Sequence, residues 1–380
     1  HRRINTSSDS EALLNLFAAE IQRSLNGNPG GIESLSDDDI FRAVERVHLR
    51  AEGSYSVVTM ITGWGIIAFR DPNGIRPLCI GSNTVDGFTE RVVASESVVC
   101  KALGFNHDGD VSPGEAVIVR MNGDLSRKVC SDKVDHHPCI FEHVYFARPD
   151  SVMDGISVHS SRLRMGATLA RKISSEHPDH GIEAVIPVPD SGRIAALDLA
   201  RELGVPYREG FVKNRYIGRT FIMPGQTIRK DSVRKKLNTI EGEFHGKTVL
   251  IVDDSIVRGN TSRRIVNMAR EAGATRVFFA SCSPPIVHPN VYGIDMPAKS
   301  EYVAHGRSVE EIGEAIGADW LVYQDLQDLV KACLGDESEG PANFDCSCFD
   351  GVYVTGGITE EYLERIERLR NDDVKNKVQV

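Results

Sequence analysis

The chain has 380 residues, of which 41% are hydrophobic and 26% are charged, the usual balance of a soluble globular protein. This length predicts two domains, each long enough to bury its own core. The formal net charge of −10 argues against general nucleic-acid binding, because that function needs a basic field. No apolar run approaches the length of a membrane span.

The first half predicts two helices followed by an antiparallel sheet. The sequence starts with neither an initiator Met nor a signal peptide, and we expect it to begin inside a domain. Residues 8–11 read Ser-Asp-Ser-Glu, a capping-box pattern before the amphipathic helix "ALLNLFAAEI", and "DDDIFRAVERVHLR" predicts the second helix. Short apolar runs separated by Gly, Asn, Asp and Pro then predict strands. These runs are "SYSVVTMIT", "WGIIAFRD", "PLCIGS", "RVVASES" and "EAVIVRM".

The pattern changes after the polar segment 130–138, which ends in proline and is the predicted domain junction. Strands and helices alternate from there, which predicts an α/β domain with a mostly parallel sheet and ligands at the carboxyl ends of its strands. The predicted elements are a helix over about 160–176, strand "AVIPVP", helix "AALDLARELG", strand "TVLIV", helix "TSRRIVNMAREAGA", strand "RVFFASC", helix "SVEEIGEAIG" and strand "WLVY". The fold class is therefore a two-domain combination of α+β and α/β.

The segment 248–262, "TVLIVDDSIVRGNTS", carries the strongest functional signal. Its apolar, β-branched beginning predicts a buried central strand that ends in two adjacent acids. A turn containing glycine follows and leads into a helix, whose free N–H groups and nearby hydroxyls suit a phosphate. The candidate ligand-binding residues here are Asp253, Asp254, Ser255, Arg258, Gly259, Asn260, Thr261 and Ser262.

Acids beside a phosphate site need an explanation, because their charges repel the phosphate. A sugar phosphate provides one: the carboxylates accept hydrogen bonds from ribose hydroxyls, while Mg²⁺ offsets the charge of a pyrophosphate group. The alternative is an acidic turn that only caps a helix, but the full order of strand, paired acids, Arg-Gly and Thr-Ser disfavours it. The chain contains no G-x-x-x-x-G-K-[ST] motif. The segment resembles the signature of type I phosphoribosyltransferases.

Two further stretches support this interpretation. In "VIPVPDSGR", the residues Asp190, Ser191 and Gly192 are expected to form a turn that faces pyrophosphate, with the serine hydroxyl near the metal; an ordinary turn is the alternative. The stretch "FVKNRYIGRTFIMPGQTIR" is a basic island in an acidic chain, expected to be a lid over the site or else a solvated surface loop. Its basic residues are Lys213, Arg215, Arg219 and Arg229.

Taken together, the residues resemble the amidophosphoribosyltransferases, glutamine-dependent pentosyltransferases of de novo purine synthesis. The matching stretches are "INTSSDSEALL", "AFRDPNGIRPL", "VASES", "FEHVYFARPDS", "FVKNRYIGRTFIMPGQ", "VLIVDDSIVRGNTS", "NVYGIDMP" and "FDGVYVTGG". The resemblance implies an N-terminal-nucleophile glutaminase domain, present in part at 1–136, a phosphoribosyltransferase domain at 137–356 and a C-terminal helical segment at 357–380. Ammonia from glutamine would then reach C1 of the sugar.

The resemblance also implies roles for individual positions. Ser191, Asp253 and Asp254 match the Mg²⁺-associated positions, 258–262 match the loop for the 5′-phosphate, and 213–226 match the flexible loop. Asp9 matches the acid that holds the amino group of glutamine, although it also lies in the predicted helix cap. The family further implies feedback by purine nucleotides, and we expect a homo-oligomer.

Two departures from the family pattern matter. The family's catalytic cysteine opens the mature chain, which places it upstream of His1, so we expect no glutaminase activity from this stretch and promote none of the eight cysteines in its place. The iron–sulfur subgroup uses four cysteines, but only Cys139 and Cys348 match, with Asn290 and Asp345 at the other positions. Two thiolates cannot hold a four-iron cluster, so a cluster-free chain is expected.

The cysteines otherwise give little signal. They are scattered, and the spacing of Cys346 and Cys348 is too tight for a standard zinc knuckle. We expect reduced thiols in a cytoplasmic protein.

Two rival functions remain open from the sequence. A phosphoribosyltransferase acting on a free base shares the central motif, but it leaves "INTSSDSEALL" and the antiparallel first half unexplained. A non-catalytic sensor or RNA-binding regulator on the same fold needs a basic face, which the acidic balance disfavours.

Overall fold

A computed structural model describes residues 4–6, 8–25, 30–214, 237–335 and 340–370. The helices are α1 (Asp9–Leu25), α2 (Asp37–His48), α3 (Ser97–Ala102), α4 (Val158–Glu176), α5 (Arg193–Leu203), α6 (Asn260–Glu271), α7 (Val309–Ile316), α8 (Leu326–Leu334), α9 (Ser347–Asp350) and α10 (Glu360–Arg370). Short 3₁₀ or π turns cover Gly31–Ser34, Glu142–Phe146, Glu241–Glu243 and Lys299–Glu301.

The strands follow the same chain order. They are β1 (Ser56–Ile61), β2 (Gly65–Arg70), β3 (Cys79–Val85), β4 (Phe88–Ala94), β5 (Asn106–Asp110), β6 (Glu115–Arg120), β7 (Leu125–Val129), β8 (Val152–Met153), β9 (Ile156–Ser157), β10 (Ala184–Pro187), β11 (Phe211–Lys213), β12 (Leu237–Thr239), β13 (Thr248–Asp253), β14 (Arg276–Ser281) and β15 (Trp320–Tyr323).

The first half is antiparallel, as predicted, but it forms two sheets, in the orders β1-β2-β6-β7 and β4-β3-β5. Helices α1 and α2 cover one face of the larger sheet, where Phe17, Ile40 and Phe69 meet in one core. The split arises because β3 pairs with both β4 and β5 and leaves the β2–β6 ladder intact.

The predicted capping box between Ser8 and Glu11 is wrong, because Glu11 accepts hydrogen bonds from other residues. The Glu11 carboxylate accepts from the backbone N–H groups of Asn5 at 2.9 Å and Thr6 at 2.7 Å, while the Ser8 N–H donates to the Thr6 hydroxyl. Because the Glu11 carboxylate accepts from both the N–H and the hydroxyl of Thr6, Asn5 and Thr6 rather than Ser8 anchor the start of α1.

The second half contains the predicted parallel sheet, in the order β10-β13-β14-β15. Its central strand β13 is apolar along its length because both faces are covered: Leu250 and Val252 pack into one core, and Val249 and Ile251 pack into the other. The helices predicted between these strands are present as α5, α6 and α7.

A buried ion pair joins the two halves. Arg70, at the end of β2, donates to both carboxylate oxygens of Asp154 at 2.7 and 2.9 Å, and the Arg70 side chain is only 1% exposed. The predicted junction segment runs beside this pair, where His137 N–H donates to the Asn73 carbonyl at 2.8 Å. The domain limits 1–136, 137–356 and 357–380 stay predictions.

Within the described ranges, the search for a helix long and apolar enough to cross a membrane finds none.

Candidate active site

The paired acids lie at the carboxyl edge of the parallel sheet, where the sequence predicted them. Asp253 is the last residue of β13, and both it and Asp254 are 7% exposed. The neighbouring strand β10 pairs Pro187 with Val252, so the chain after β10 enters the same edge. Ser191 in that following turn donates its hydroxyl to Asp253 Oδ1 at 3.3 Å. Two separate motifs of the sequence therefore meet at one place.

The pKa values of the two acids are shifted by their surroundings. Burial, together with the neighbouring charge of Asp254, raises the pKa of Asp253 well above its usual range, and burial also raises the pKa of Asp254. The Asp254 N–H donates to Asp253 Oδ1 at 2.9 Å, and the Ser255 hydroxyl donates to Asp254 Oδ1. These contacts hold the two carboxyl groups in place. Because burial and mutual repulsion raise their pKa, a bound cation would be needed to keep both charged, which suits a cation site.

One basic residue near the acids was missed by sequence reasoning. Arg162 of α4 interacts electrostatically with Asp254, and its guanidinium donates to the carbonyls of His143 at 2.9 Å and Ala147 at 2.8 Å. Burial lowers the pKa of this guanidinium. Nothing in the helical pattern of α4 distinguishes it from Arg164 two positions later, so only the fold identifies it.

The turn over 188–192 packs directly on the central strand. Val188 N–H donates to the Val252 carbonyl at 2.8 Å, and Gly192 N–H donates to the Val188 carbonyl at 3.0 Å. A Cβ at Gly192 would collide with the Val252 carbonyl oxygen. The glycine is therefore required for this close approach, which holds Asp190 and Ser191 beside the acid pair.

The loop after the acids ends in a left-handed glycine at the start of α6. Gly259 has φ +72°, and a Cβ there would lie 2.9 Å from Val303 Cγ2. Asn260 and Thr261 are exposed, whereas Ser262 is buried. The helix start and the Thr261 hydroxyl are therefore accessible at this edge of the sheet, whereas the Ser262 hydroxyl, also predicted to contribute, is buried. Phosphate binding at this helix start stays a prediction.

Arg258 in this loop has a partner that the sequence did not indicate. Its Nη2 lies 2.7 Å from Glu301 Oε2, in the turn Lys299–Glu301. The same turn is tied to the loop by the Val303 N–H, which donates to the Val257 carbonyl at 2.9 Å. This ion pair sets the direction of the Arg258 side chain.

The turn over 188–192 also contacts the beginning of the basic stretch. Lys213 Nζ donates to Asp190 Oδ2 at 2.6 Å, and Arg193 Nη1 donates to Asp190 Oδ1 at 3.0 Å. Lys213 is thereby placed next to the turn. Arg215, Arg219 and Arg229 lie outside the described residues, as does most of the predicted loop at 213–226.

The remaining sequence candidates lie elsewhere. Asp9 is exposed at the first turn of α1, and its Oδ1 accepts from the Ser10 N–H at 2.7 Å, a local helix-start contact. The four residues at the family's cluster positions, Cys139, Asn290, Asp345 and Cys348, are buried. Two of them accept local hydrogen bonds: Asn290 Oδ1 from the Tyr292 N–H at 2.8 Å, and Asp345 Oδ1 from the Ser347 N–H at 3.2 Å. The glutamine role of Asp9 and the cluster-free character both stay predictions.

Comparison with known proteins places this site in a family. Residues 156–282 match the family model for the phosphoribosyl transferase domain. The amidophosphoribosyltransferase of Pseudomonas aeruginosa is 56% identical over 378 residues, which is 100% of this chain and 74% of that protein. That of Escherichia coli is 52% identical over 98% of this chain and 73% of its own length.

A solved structure agrees with these relatives. It is described as the glutamine phosphoribosylpyrophosphate amidotransferase from B. subtilis complexed with ADP and GMP, and it matches with a TM-score of 0.79 and 40% identity. The match covers 94% of this chain and 73% of that one. Because the two bacterial relatives are more than 50% identical in sequence over nearly the whole chain, the chain belongs to the amidophosphoribosyltransferase family.

Proposed function

We propose that this chain transfers the phosphoribosyl group of 5-phosphoribosyl-1-pyrophosphate (PRPP) to glutamine-derived ammonia, giving 5-phosphoribosylamine and pyrophosphate. Its relatives carry the name amidophosphoribosyltransferase. The observation that carries the proposal is the buried pair Asp253 and Asp254, flanked by the turn at 188–192 and by the glycine at the start of α6. These neighbours suit the two ends of one activated sugar phosphate.

The donor set fits Mg²⁺, a hard cation that prefers oxygen ligands. Asp253, Asp254 and the Ser191 hydroxyl would hold it, because the Ser191 hydroxyl interacts with both carboxyl groups at the sheet edge. When bound, Mg²⁺ would offset the charge of the pyrophosphate leaving group.

Different residues of this chain bind different parts of the substrate. The start of α6 and the Thr261 hydroxyl hold the 5′-phosphate, and Asp253 and Asp254 accept from the ribose hydroxyls. The backbone of the 190–192 turn faces the pyrophosphate, and Lys213 lies beside that turn. Arg258, whose side chain is paired with Glu301, is the first residue of the phosphate loop at 258–262.

The chemistry then needs mainly positioning and charge stabilisation. The C1–O bond breaks, its electron pair leaves with pyrophosphate, and positive charge develops on the ribose ring. The ammonia lone pair forms the C1–N bond from the opposite face, and the resulting ammonium group loses a proton to solvent. Because ammonia is a neutral nucleophile, an obligatory general base is not required.

Regulation by purine nucleotides is part of the proposal. The B. subtilis structure is described as a complex with ADP and GMP, and this chain covers 73% of it at 40% identity. We expect nucleotides of this kind to inhibit the present chain. A homo-oligomer and a cytoplasmic location stay predictions.

The test is ammonia-dependent turnover of PRPP by the double variant Asp253→Asn, Asp254→Asn. Removing both charges takes away the grip on the ribose and on Mg²⁺, so turnover should fall by a factor of about a hundred or more. Release of pyrophosphate from PRPP and ammonia is the measurement. Unchanged turnover in the folded double variant contradicts the assignment.

The matched control is Asp319→Asn, at the opposite, amino edge of the sheet. Asp319 immediately precedes β15 and accepts from the Val277 N–H at 2.6 Å, so its loss should affect stability without lowering turnover per folded molecule. Offering adenine, guanine or orotate in place of ammonia tests the rival acceptor class. Turnover with one of those bases but not with ammonia would overturn the acceptor proposed here.

A further inference from the structure

A group of metal-binding side chains lies in the first half, on the β4-β3-β5 sheet. The ligand atoms of Cys79, His107 and Asp110 all lie within 4.8 Å of one another. A second thiol, that of Cys100, is hydrogen-bonded to the Cys79 thiol. None of these residues belongs to the site described above.

The sheet geometry brings the three ligands together from distant sequence positions. Cys79 on β3 is paired directly with Asp110 on β5. His107 is three residues before Asp110, which in a regular strand would place them on opposite faces. The ladder is irregular between Ile80 and Gly81, and Gly109 has φ +132°, so both side chains reach the same side.

Cys100 reaches this group because Gly81 has no side chain. Cys100 lies on α3, which packs against β3, and a Cβ at Gly81 would lie 2.8 Å from Cys100 Sγ. Cys79 and Cys100 are fully buried, whereas the side chains of His107 and Asp110 are 24% and 20% exposed. The group is therefore closed on the thiol side and open to solvent on the other.

The separation of the polar atoms suits an ion better than a direct contact. His107 Nε2 lies 3.8 Å from Asp110 Oδ1, beyond hydrogen-bond distance. This buried nitrogen has no hydrogen-bond partner among the residues that the structure describes. A tetrahedral zinc ion with bonds of about 2.0–2.1 Å separates such ligand atoms by roughly 3.3 Å, so a small side-chain shift closes the site.

The charges around Asp110 also favour a cation. The negative charge of Asp154 repels that of Asp110. Arg70, the buried arginine between the two halves, is already paired with Asp154. Further basic groups are close, since Arg127 Nη2 donates to the Asp110 carbonyl at 2.9 Å and Arg91 lies 3.6 Å from Asp108. Each of these arginines is already paired with an acceptor. The Asp110 carboxylate accepts a hydrogen bond from the Asp154 backbone, and its second oxygen can serve as a ligand.

We propose that Cys79, His107 and Asp110 form a zinc site, with the Cys100 thiol supporting the Cys79 sulfur by a hydrogen bond. A thiolate, an imidazole and a carboxylate together select a borderline-soft ion such as Zn²⁺ over Mg²⁺ or Ca²⁺. Three protein ligands leave the fourth zinc position to a water molecule on the solvent side. The ion would tie β3 to β5 and, through Asp110, reinforce the junction at Arg70 and Asp154. The proposal does not depend on the transferase activity.

The experiment titrates Co²⁺ into the full chain after treatment with a chelator, under reducing conditions and in excess Mg²⁺. The expected result is one equivalent of Co²⁺ with a thiolate-to-metal absorption band, displaced by Zn²⁺. His107→Asn and Asp110→Asn should each weaken binding by about tenfold or more. Cys79→Ser should abolish the thiolate band.

The matched control is Cys130→Ala, another buried thiol of the first half that packs in a different core. It should titrate like the unsubstituted chain. The proposal is overturned if the unsubstituted chain gives no thiolate band, or if His107→Asn and Asp110→Asn both titrate as it does. Circular dichroism verifies that each variant is folded, and the two variants at partly exposed positions keep the test decisive if Cys79→Ser fails to fold.

Discussion

At Gly192 the absence of a Cβ decides whether the turn over 188–192 can reach the acid pair. The turn touches the backbone of the strand itself, since Val188 N–H bonds to the Val252 carbonyl next to Asp253. A hydrogen atom at Gly192 fits against that carbonyl, and a methyl group does not.

Gly192→Ala should therefore lower the free energy of unfolding by about 1–3 kcal/mol, through overpacking against backbone. It should also weaken PRPP binding, because the collision pushes Ser191 away from Asp253. Denaturant unfolding and a binding titration measure the two effects. Gly242→Ala is the control: Gly242 meets nothing within 4 Å and has no left-handed φ, so stability should stay equal or rise by up to about 1 kcal/mol. Equal stability of the two variants would contradict the close-approach argument.

The sequence indicated the site residues that are contiguous in the chain, but not those that the fold brings to the same place. Asp253, Asp254 and Gly259 were identified because strand, acids and turn are contiguous in the chain. Arg162 and Glu301 were missed because each reaches the site through tertiary packing. The residues of the proposed zinc site were missed for the same reason, since they belong to two strands and their spacing matches no motif.

Among the elements, helices and strands were predicted best where the pattern was local. The parallel strands appeared as continuous apolar runs, because both faces of the sheet are buried. The pairing of β3 with β4 and β5 could not be predicted, since the alternation of apolar and polar residues along a strand does not indicate which strands it pairs with. The helix α2 begins at Asp37, as predicted. Its N-cap, Ser36, can be tested by substitution.

Ser36→Ala should lower the free energy of unfolding by about 1 kcal/mol. Ser36 caps α2 by accepting from the Asp39 N–H at 3.2 Å, and the Asp39 carboxylate accepts in return from the Ser36 N–H at 3.0 Å. Thermal unfolding followed by circular dichroism measures the change. Ser175→Ala, exposed in the last turn of α4, should stay within about 0.5 kcal/mol. A loss at Ser175 as large as that at Ser36 would count against the capping argument.

For the whole molecule, the pair of Arg70 and Asp154 is the clearest link between the halves. Burial alone would raise the pKa of Asp154, but the hydrogen bonds and charge of Arg70 outweigh burial and hold this pKa well below its usual range. The carboxylate is thus charged in the folded protein, and Arg70 donates besides to the carbonyls of Val111 at 2.9 Å and Gly74 at 2.6 Å.

Asp154→Asn should lower the free energy of unfolding at neutral pH by about 3–5 kcal/mol, because it leaves Arg70 buried without its counter-charge. Asparagine keeps the shape and tolerates the local φ of +48°, so the loss reflects charge. A depressed carboxyl pKa stabilises the folded state above the unfolded value of about 4 and loses that effect on acidification, so the difference from the unsubstituted chain should shrink below about pH 4.

The control for this prediction is Asp150→Asn, whose pair with Arg148 is solvent-exposed. That pair has a length of 3.0 Å and 52% exposure at the aspartate, so its loss should cost under about 1 kcal/mol. Urea unfolding across pH 3–7 (roughly the range of carboxyl titration) is the measurement. A difference between Asp154→Asn and the unsubstituted chain that grows on acidification would refute the assigned charge state.

The proposed function requires that one sugar phosphate is held between the acid pair and the phosphate loop. Isothermal titration calorimetry of the folded chain with PRPP in the presence of Mg²⁺ tests this directly. We expect saturable binding at one site that is lost in the double variant Asp253→Asn, Asp254→Asn and kept in Asp319→Asn. Absence of heat from the folded unsubstituted chain, or undiminished binding by the double variant, would contradict the central claim.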